Sequence, residues 1–177
     1  MALLAEEIVE EWLNRNGFFT IRGIKLGVHE IDLLAIGFND GKILCRHVEV
    51  QASIRPVSYI CPLPKNIQNA TGRSANSAKK RSSAEISKGV EEWIDKKYQH
   101  PRKIKLREGL LRDKWKFEFV VHKVKSEEEL KSIEEQGIEI HRLDDIIAEL
   151  SSSKTIVSKA SGSDLVELVL LGKTENK

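Results

Sequence analysis

One short stretch limits the folds open to this chain more than any other: Asn39-Asp40-Gly41, set between the apolar segments 30–38 and 42–51. An Asp-Gly pair accepts the positive φ angles of a two-residue hairpin turn, whose twist matches that of the strands it joins. Residues 18–24 supply a further strand-like segment just ahead. With Asp40 and Gly41 at the centre of the turn, residues facing each other across the hairpin have numbers summing to 81, so Asp32 faces Glu49 and Glu30 faces Gln51. Positions two apart on a strand share a face, and this face continues through the apolar Leu34, Ile36, Phe38, Ile43 and Cys45.

Three carboxylates gathered beside an apolar surface repel one another and lose hydration, so they call for a proton or a cation. Oxygen donors of this kind suit Mg²⁺ or Mn²⁺ rather than zinc. The histidines at 29, 47, 100, 122 and 141 are scattered and form no zinc motif.

A helix is expected over residues 3–16, stopped by Gly17. Its apolar arc holds Ile8, Val9, Trp12 and Leu13; Glu6 lies about 20° from Leu13 at the margin of that arc, whereas Glu7, Glu10 and Glu11 fall on the polar side. Residues 52–83 read as a long polar segment with a short helix near 74–80, too long for a mere connector. Ile86, Val90, Trp93 and Lys97 repeat at helical spacing over 84–98, and a basic loop follows at 99–112. Phe117, Phe119 and Val121 alternate as a strand, Ser126 and Glu129 make a capping box, and 138–141 and 143–150 read as strand and helix. This order predicts an α/β fold, a mixed β-sheet with helices on both faces. Residues 1–150 would form the domain, and 151–177 a Ser-rich linker with a short helix over 164–171.

The net charge of +2 is a sum of opposed blocks: −3 over residues 1–50, +11 over 51–125 and −6 over 126–177. Within residues 51–84, Arg55, Lys65, Arg73, Lys79, Lys80 and Arg81 stand without a single acid, which points to a polyanion such as DNA. Trp12 and Trp93 occupy helical core positions, which argues against base stacking by either. Two cysteines, Cys45 and Cys61, make neither a disulfide framework nor a CxxC motif. The acidic N-terminal segment lacks the chemistry of a secretory signal and no apolar run spans a bilayer, so a cytoplasmic protein is expected.

Glu6 on its helix, then Glu30-Ile31-Asp32-Leu33-Leu34-Ala35, then Val48-Glu49-Val50-Gln51-Ala52 together resemble the PD-(D/E)XK nuclease superfamily. The likeness covers residues 5–53 and is nearest to archaeal Holliday junction resolvases, restriction-endonuclease-like proteins and small nuclease-like proteins reading E-I-D-L-x-A and E-V-K. It implies a restriction-endonuclease-like fold and a Mg²⁺- or Mn²⁺-dependent DNA endonuclease, with branched or junction DNA as a candidate substrate. By position, Asp32, Glu49 and the Val50 carbonyl would hold the metal, Glu6 would bind through water or a second ion, and Gln51 stands where the motif has lysine. A neutral amide can orient an attacking water but cannot stabilise developing hydroxide by charge. The alternative is a DNA-binding or assembly protein that keeps the fold without turnover; RNA shares the phosphate chemistry. Junction-cleaving relatives act as symmetric dimers, so a homodimer is the conditional expectation.

Overall fold

A computed structural model describes residues 2–174 apart from Ile54 and Ser153. Helix α1 (Ala2–Arg15) leads into strands β1 (Phe19–Leu26), β2 (His29–Asn39) and β3 (Lys42–Gln51). Helices α2 (Lys65–Thr71) and α3 (Ser83–Ile94) follow; α3 runs into a π-helical turn at Asp95–Gln99 and then α4 (Pro101–Leu110). The chain closes with β4 (Trp115–Val121), α5 (Glu127–Glu135), β5 (Glu139–Arg142), α6 (Leu143–Ser151) and α7 (Ser163–Thr174). The five strands form one sheet in the order β1-β2-β3-β4-β5, antiparallel from β1 to β3 and parallel from β3 to β5.

The expected α/β fold, a mixed sheet flanked by helices, is the one observed. Alternation along β4 divides the interior: Val120 joins a core with Leu13 of α1, Ile146 of α6 and Val166 of α7, while Phe119 and Val121 join a second core with Trp93 of α3 and Ile133 of α5. Helix α7 therefore packs on its own domain, and it continues beyond the expected end at residue 171. The last residues of the tail, 175–177, lie outside the described residues.

At the hairpin, Asp40 and Gly41 have φ angles of 48° and 75°, as the turn requires, and pairing runs from Asn39↔Lys42 to Leu33↔Val48 in the expected register. It then stops short of Asp32 and Glu49. On the other side, β1 and β2 also pair continuously except where Gly23 would meet Asp32, and Gly23 has a positive φ of 67°. Asp32 is thus outside the ladder on both flanks, freeing the Val50 amide to donate to its Oδ2 at 2.8 Å.

Three segments depart from expectation. The helix of the 52–83 segment lies at Lys65–Thr71, capped by Gly72 in the left-handed region, and buried Ile60, Cys61 and Leu63 tie this segment to the core. Residues 101–110 are helical rather than a loop: α4 has Pro101 in its first turn and the His100 side chain accepting from the Arg102 amide, but its inward residues are Lys103 and Arg107, so it carries no apolar stripe. Glu11 is 1% exposed instead of solvated, because residues 160–163 fold over it: the Ala160 and Gly162 amides, the Ser163 hydroxyl and Arg15 all donate to its carboxylate.

Candidate functional site

Glu49, on β3, is wholly buried and fully engaged. Lys97 Nζ donates to its Oε2 at 2.7 Å, and Lys103 Nζ donates to Oε1 at the same distance. His47, two residues earlier on the same face, lies 3.0 Å from Oε1 through Nε2. Arg107 Nη1 is 2.9 Å from His47 Nδ1, and because a guanidinium can only donate, Nδ1 is the acceptor and Nε2 carries the proton that His47 gives to Glu49. Burial pushes His47 down to about 4, so the ring is neutral and works as a spacer between two charges. Burial opposes ionisation of Glu49, but His47, Lys97 and Lys103 prevail and hold it at about 2.

Asp32 fares differently. Burial and then the neighbouring Glu49 charge drive it up to about 7, against the opposing effects of Lys97 and the Val50 amide. Glu6, 6% exposed on α1, is also raised, first by burial and then by Glu30, and among the described residues its buried Oε2 has no hydrogen-bond partner. Glu30 itself pairs with Lys25 across the β1–β2 ladder. Two buried carboxylates, Asp32 and Glu6, thus lie beside an ionised Glu49 that is paired with two lysines and still acts on both. Oxygen donors of this kind suit a hard divalent cation, but among the described residues the carboxylate oxygens of Glu6, Asp32 and Glu49 do not all lie within 4.8 Å of one another, so an ion would have to draw them together.

The structure thus brings Glu6, Asp32 and Glu49 into one electrostatic neighbourhood. Val50 meets Asp32 through its amide. Gln51 is half-buried at the end of β3, its carbonyl accepting from the His122 amide, and among the described residues no hydrogen bond joins its side chain to Asp32 or Glu49.

Lys97, Lys103, His47 and Arg107 were not among the expected site residues. The signal for Lys97 is a lysine in the apolar series Ile86, Val90, Trp93, Lys97: a cation on a buried face requires a buried anion. The π-helical turn that follows α3 carries both Lys97 and Tyr98, whose ring lies 4.9 Å from His47 and whose hydroxyl donates to the Glu118 carbonyl. Burial keeps the Tyr98 phenol protonated.

The six cations expected to contact nucleic acid divide. Arg55, Lys65, Lys79 and Lys80 are exposed. Arg81 is not available: it is 3% exposed, its guanidinium donates to the carbonyls of Cys61 and Ala75, and it lies over the Tyr59 ring at 4.0 Å. Those contacts close the 60–81 loop and, with the buried Glu129 carboxylate 4.0 Å from the guanidinium, account for the burial of this arginine. Arg73 is half-buried and paired with Glu85 at 2.6 Å.

A second cluster lies on the opposite face of the sheet. Among the described residues, Glu118, Glu139 and His141 are the group of potential ligands whose donor atoms lie within 4.8 Å of one another. Arg46 donates to both oxygens of Glu118, and Lys116 pairs with Glu139. A cation there would displace two ammonium or guanidinium partners already in place, so this cluster reads as a closed ion-pair network.

Among the described residues, no helix is long and apolar enough to cross a membrane. No protein-family profile and no curated protein matches the chain. Among solved structures, the chain is similar to a protein of unknown function designated AF1548, with a TM-score of 0.44 and 16% identity, over 80% of this chain and 58% of that one.

Proposed function

We propose that the chain is a divalent-metal-dependent nuclease of the PD-(D/E)XK type that hydrolyses phosphodiester bonds in DNA, with branched DNA as its first candidate substrate. The observation that carries this reading is the under-compensated pair Asp32 and Glu6 beside a Glu49 tied to Lys97. Asp32, Glu49 and the Val50 carbonyl would hold Mg²⁺ or Mn²⁺, with Glu6 acting through water or a second ion, and a bound ion would supply an acidified water and charge neutralisation at the phosphate.

The rest of the chemistry belongs to the chain. Lys97 provides the cation that Gln51 lacks. Burial works against its ammonium, but Glu49 and Asp32 raise its pKa above the ordinary lysine value, so it is protonated at neutral pH and acts as a charge and a proton donor rather than as a base. Lys103 and the neutral His47 hold Glu49 in place from the other side. Exposed Arg55, Lys65, Lys79 and Lys80 would grip the sugar-phosphate backbone. A non-catalytic DNA-binding protein is the second reading, favoured by one observation: both Glu49 oxygens already accept from lysines, a satisfied state that needs no metal.

The test is cleavage of plasmid, single-stranded and branched DNA with Mg²⁺ or Mn²⁺. Wild-type protein should cleave and Lys97→Met should lose roughly a hundredfold in rate. DNA binding without cleavage in the wild type, with cleavage appearing only in Gln51→Lys, would instead establish the non-catalytic reading.

A further inference from the structure

The carboxylate centre does not account for a cavity on the other side of Lys97. It is an open pocket of about 470 Å³ between the 60–75 segment and the run of α3 into its π-helical turn. Buried Ile60, Leu63 and Trp93 form its floor, and Lys65, Lys96 and Lys97 stand at its mouth, where Glu92 is the one acid among the described residues. Lys97 belongs to both places: it lines the cavity, and its Nζ is the atom bonded to Glu49.

The two halves of this lining favour different things. An apolar floor that includes an indole rewards a flat, weakly hydrated ring and offers a phosphate nothing. A mouth of lysines rewards an anion attached to that ring. A cavity of this size admits a ligand as large as a nucleotide. Trp93 keeps the core position expected from its helical spacing, 6% exposed and edge-on to Phe119 and Tyr98, yet it also lines the cavity, so the expectation that it takes no part in base contact does not carry over, and its position is fixed before any ligand arrives.

We propose that this cavity receives an unstacked nucleobase of the strand whose phosphate lies at Lys97. The proposal deepens the nuclease reading and rests on it for the identity of the polymer. It makes the protein selective for nucleotides that are already unpaired, since a base must leave its stack to enter, and a continuous duplex pays that cost in full. An apolar peptide or a small apolar metabolite would use the floor without the lysines.

The direct comparison uses the wild-type protein in EDTA with two probes of equal phosphate count, octathymidylate and a fully abasic octamer. Octathymidylate should bind roughly tenfold more tightly, the worth of one stacked base. Ala75→Phe, which places a ring in the cavity while leaving the Ala75 backbone contacts available, should remove that advantage and leave abasic binding unchanged. With Trp93 as the sole tryptophan (Trp12→Phe, Trp115→Phe), thymidine 5′-monophosphate should change its emission. Equal affinity for the two octamers in the wild type overturns the proposal even if Ala75→Phe fails to fold. Metal-dependent cleavage measured in parallel separates the two ideas: cleavage with equal octamer affinities defeats the base cavity and keeps the nuclease, whereas a Trp93 response with base-dependent binding and no cleavage defeats the nuclease and keeps the cavity.

Discussion

Glu49 and Glu118 sit one residue out of step on neighbouring parallel strands, so they project to opposite faces of the sheet. Both are completely buried, and both are held at about 2 by cationic and histidine partners that outweigh burial. Around Glu118 the account closes: Arg46 takes its two oxygens, His141 lies at 3.2 Å, and Glu139 has Lys116. Around Glu49 it does not, because Asp32 and Glu6 add carboxylates that the nearby cations, Lys97 at Asp32 and Arg22 and Lys25 at Glu6, do not fully offset, and both are raised. A buried acid alone therefore says little about function. What distinguishes the two faces is whether negative charge is left over after all local partners are assigned.

The contrast is broken most sharply by catalysis. Asp32→Ala should abolish metal-dependent cleavage, a loss on the order of a thousandfold or more, whereas Glu118→Ala should leave the rate of the folded fraction unchanged in a nicking assay. The next largest effect is on stability and runs the other way. Glu118→Ala strands Arg46 in the interior and should cost about 3–5 kcal/mol in urea unfolding.

Removing the surplus charge should stabilise the protein. Asp32 binds its proton more tightly folded than unfolded, so wild-type stability falls as pH rises from about 4 to about 7 and is lowest above that window. Asp32→Asn keeps an acceptor for the Val50 amide and carries no charge, so in metal-free buffer at pH 8 it should be more stable than wild type by up to about 4 kcal/mol, and equal to it near pH 4. The smallest effect belongs to the surface: Lys79→Ala with Lys80→Ala should reduce the salt dependence of DNA binding by about two phosphate contacts, with cleavage chemistry intact.

Much of this was legible in the sequence, for definite reasons. The Asp-Gly turn fixes the register of β2 and β3, and with it the common face of Asp32 and Glu49; the helical spacing of Ile8, Val9, Trp12 and Leu13 places Glu6 at the core margin. What stayed hidden was polar burial. Helix α4 hides because its inward residues, Lys103 and Arg107, are chosen by Glu49 and His47 rather than by an apolar core. Arg81 shows the converse, a cation in a basic stretch whose partners are the carbonyls of Cys61 and Ala75 and, at 4.0 Å, the buried Glu129 carboxylate far along the chain. Glu129 is similar: Ser126 caps its amide as expected, but its carboxylate accepts from the amides of Ile60 and Cys61.

The most direct test of the central claim, that the surplus charge at Asp32 and Glu6 is a cation site, is thermal unfolding at pH 8 with and without Mn²⁺. An ion that binds only the folded state stabilises it according to its concentration over its Kd. Wild type and Glu118→Gln should both gain several degrees in Tm, and Asp32→Asn should gain none. A Tm gain that survives in Asp32→Asn but disappears in Glu118→Gln, or no gain in any of the three, would contradict it.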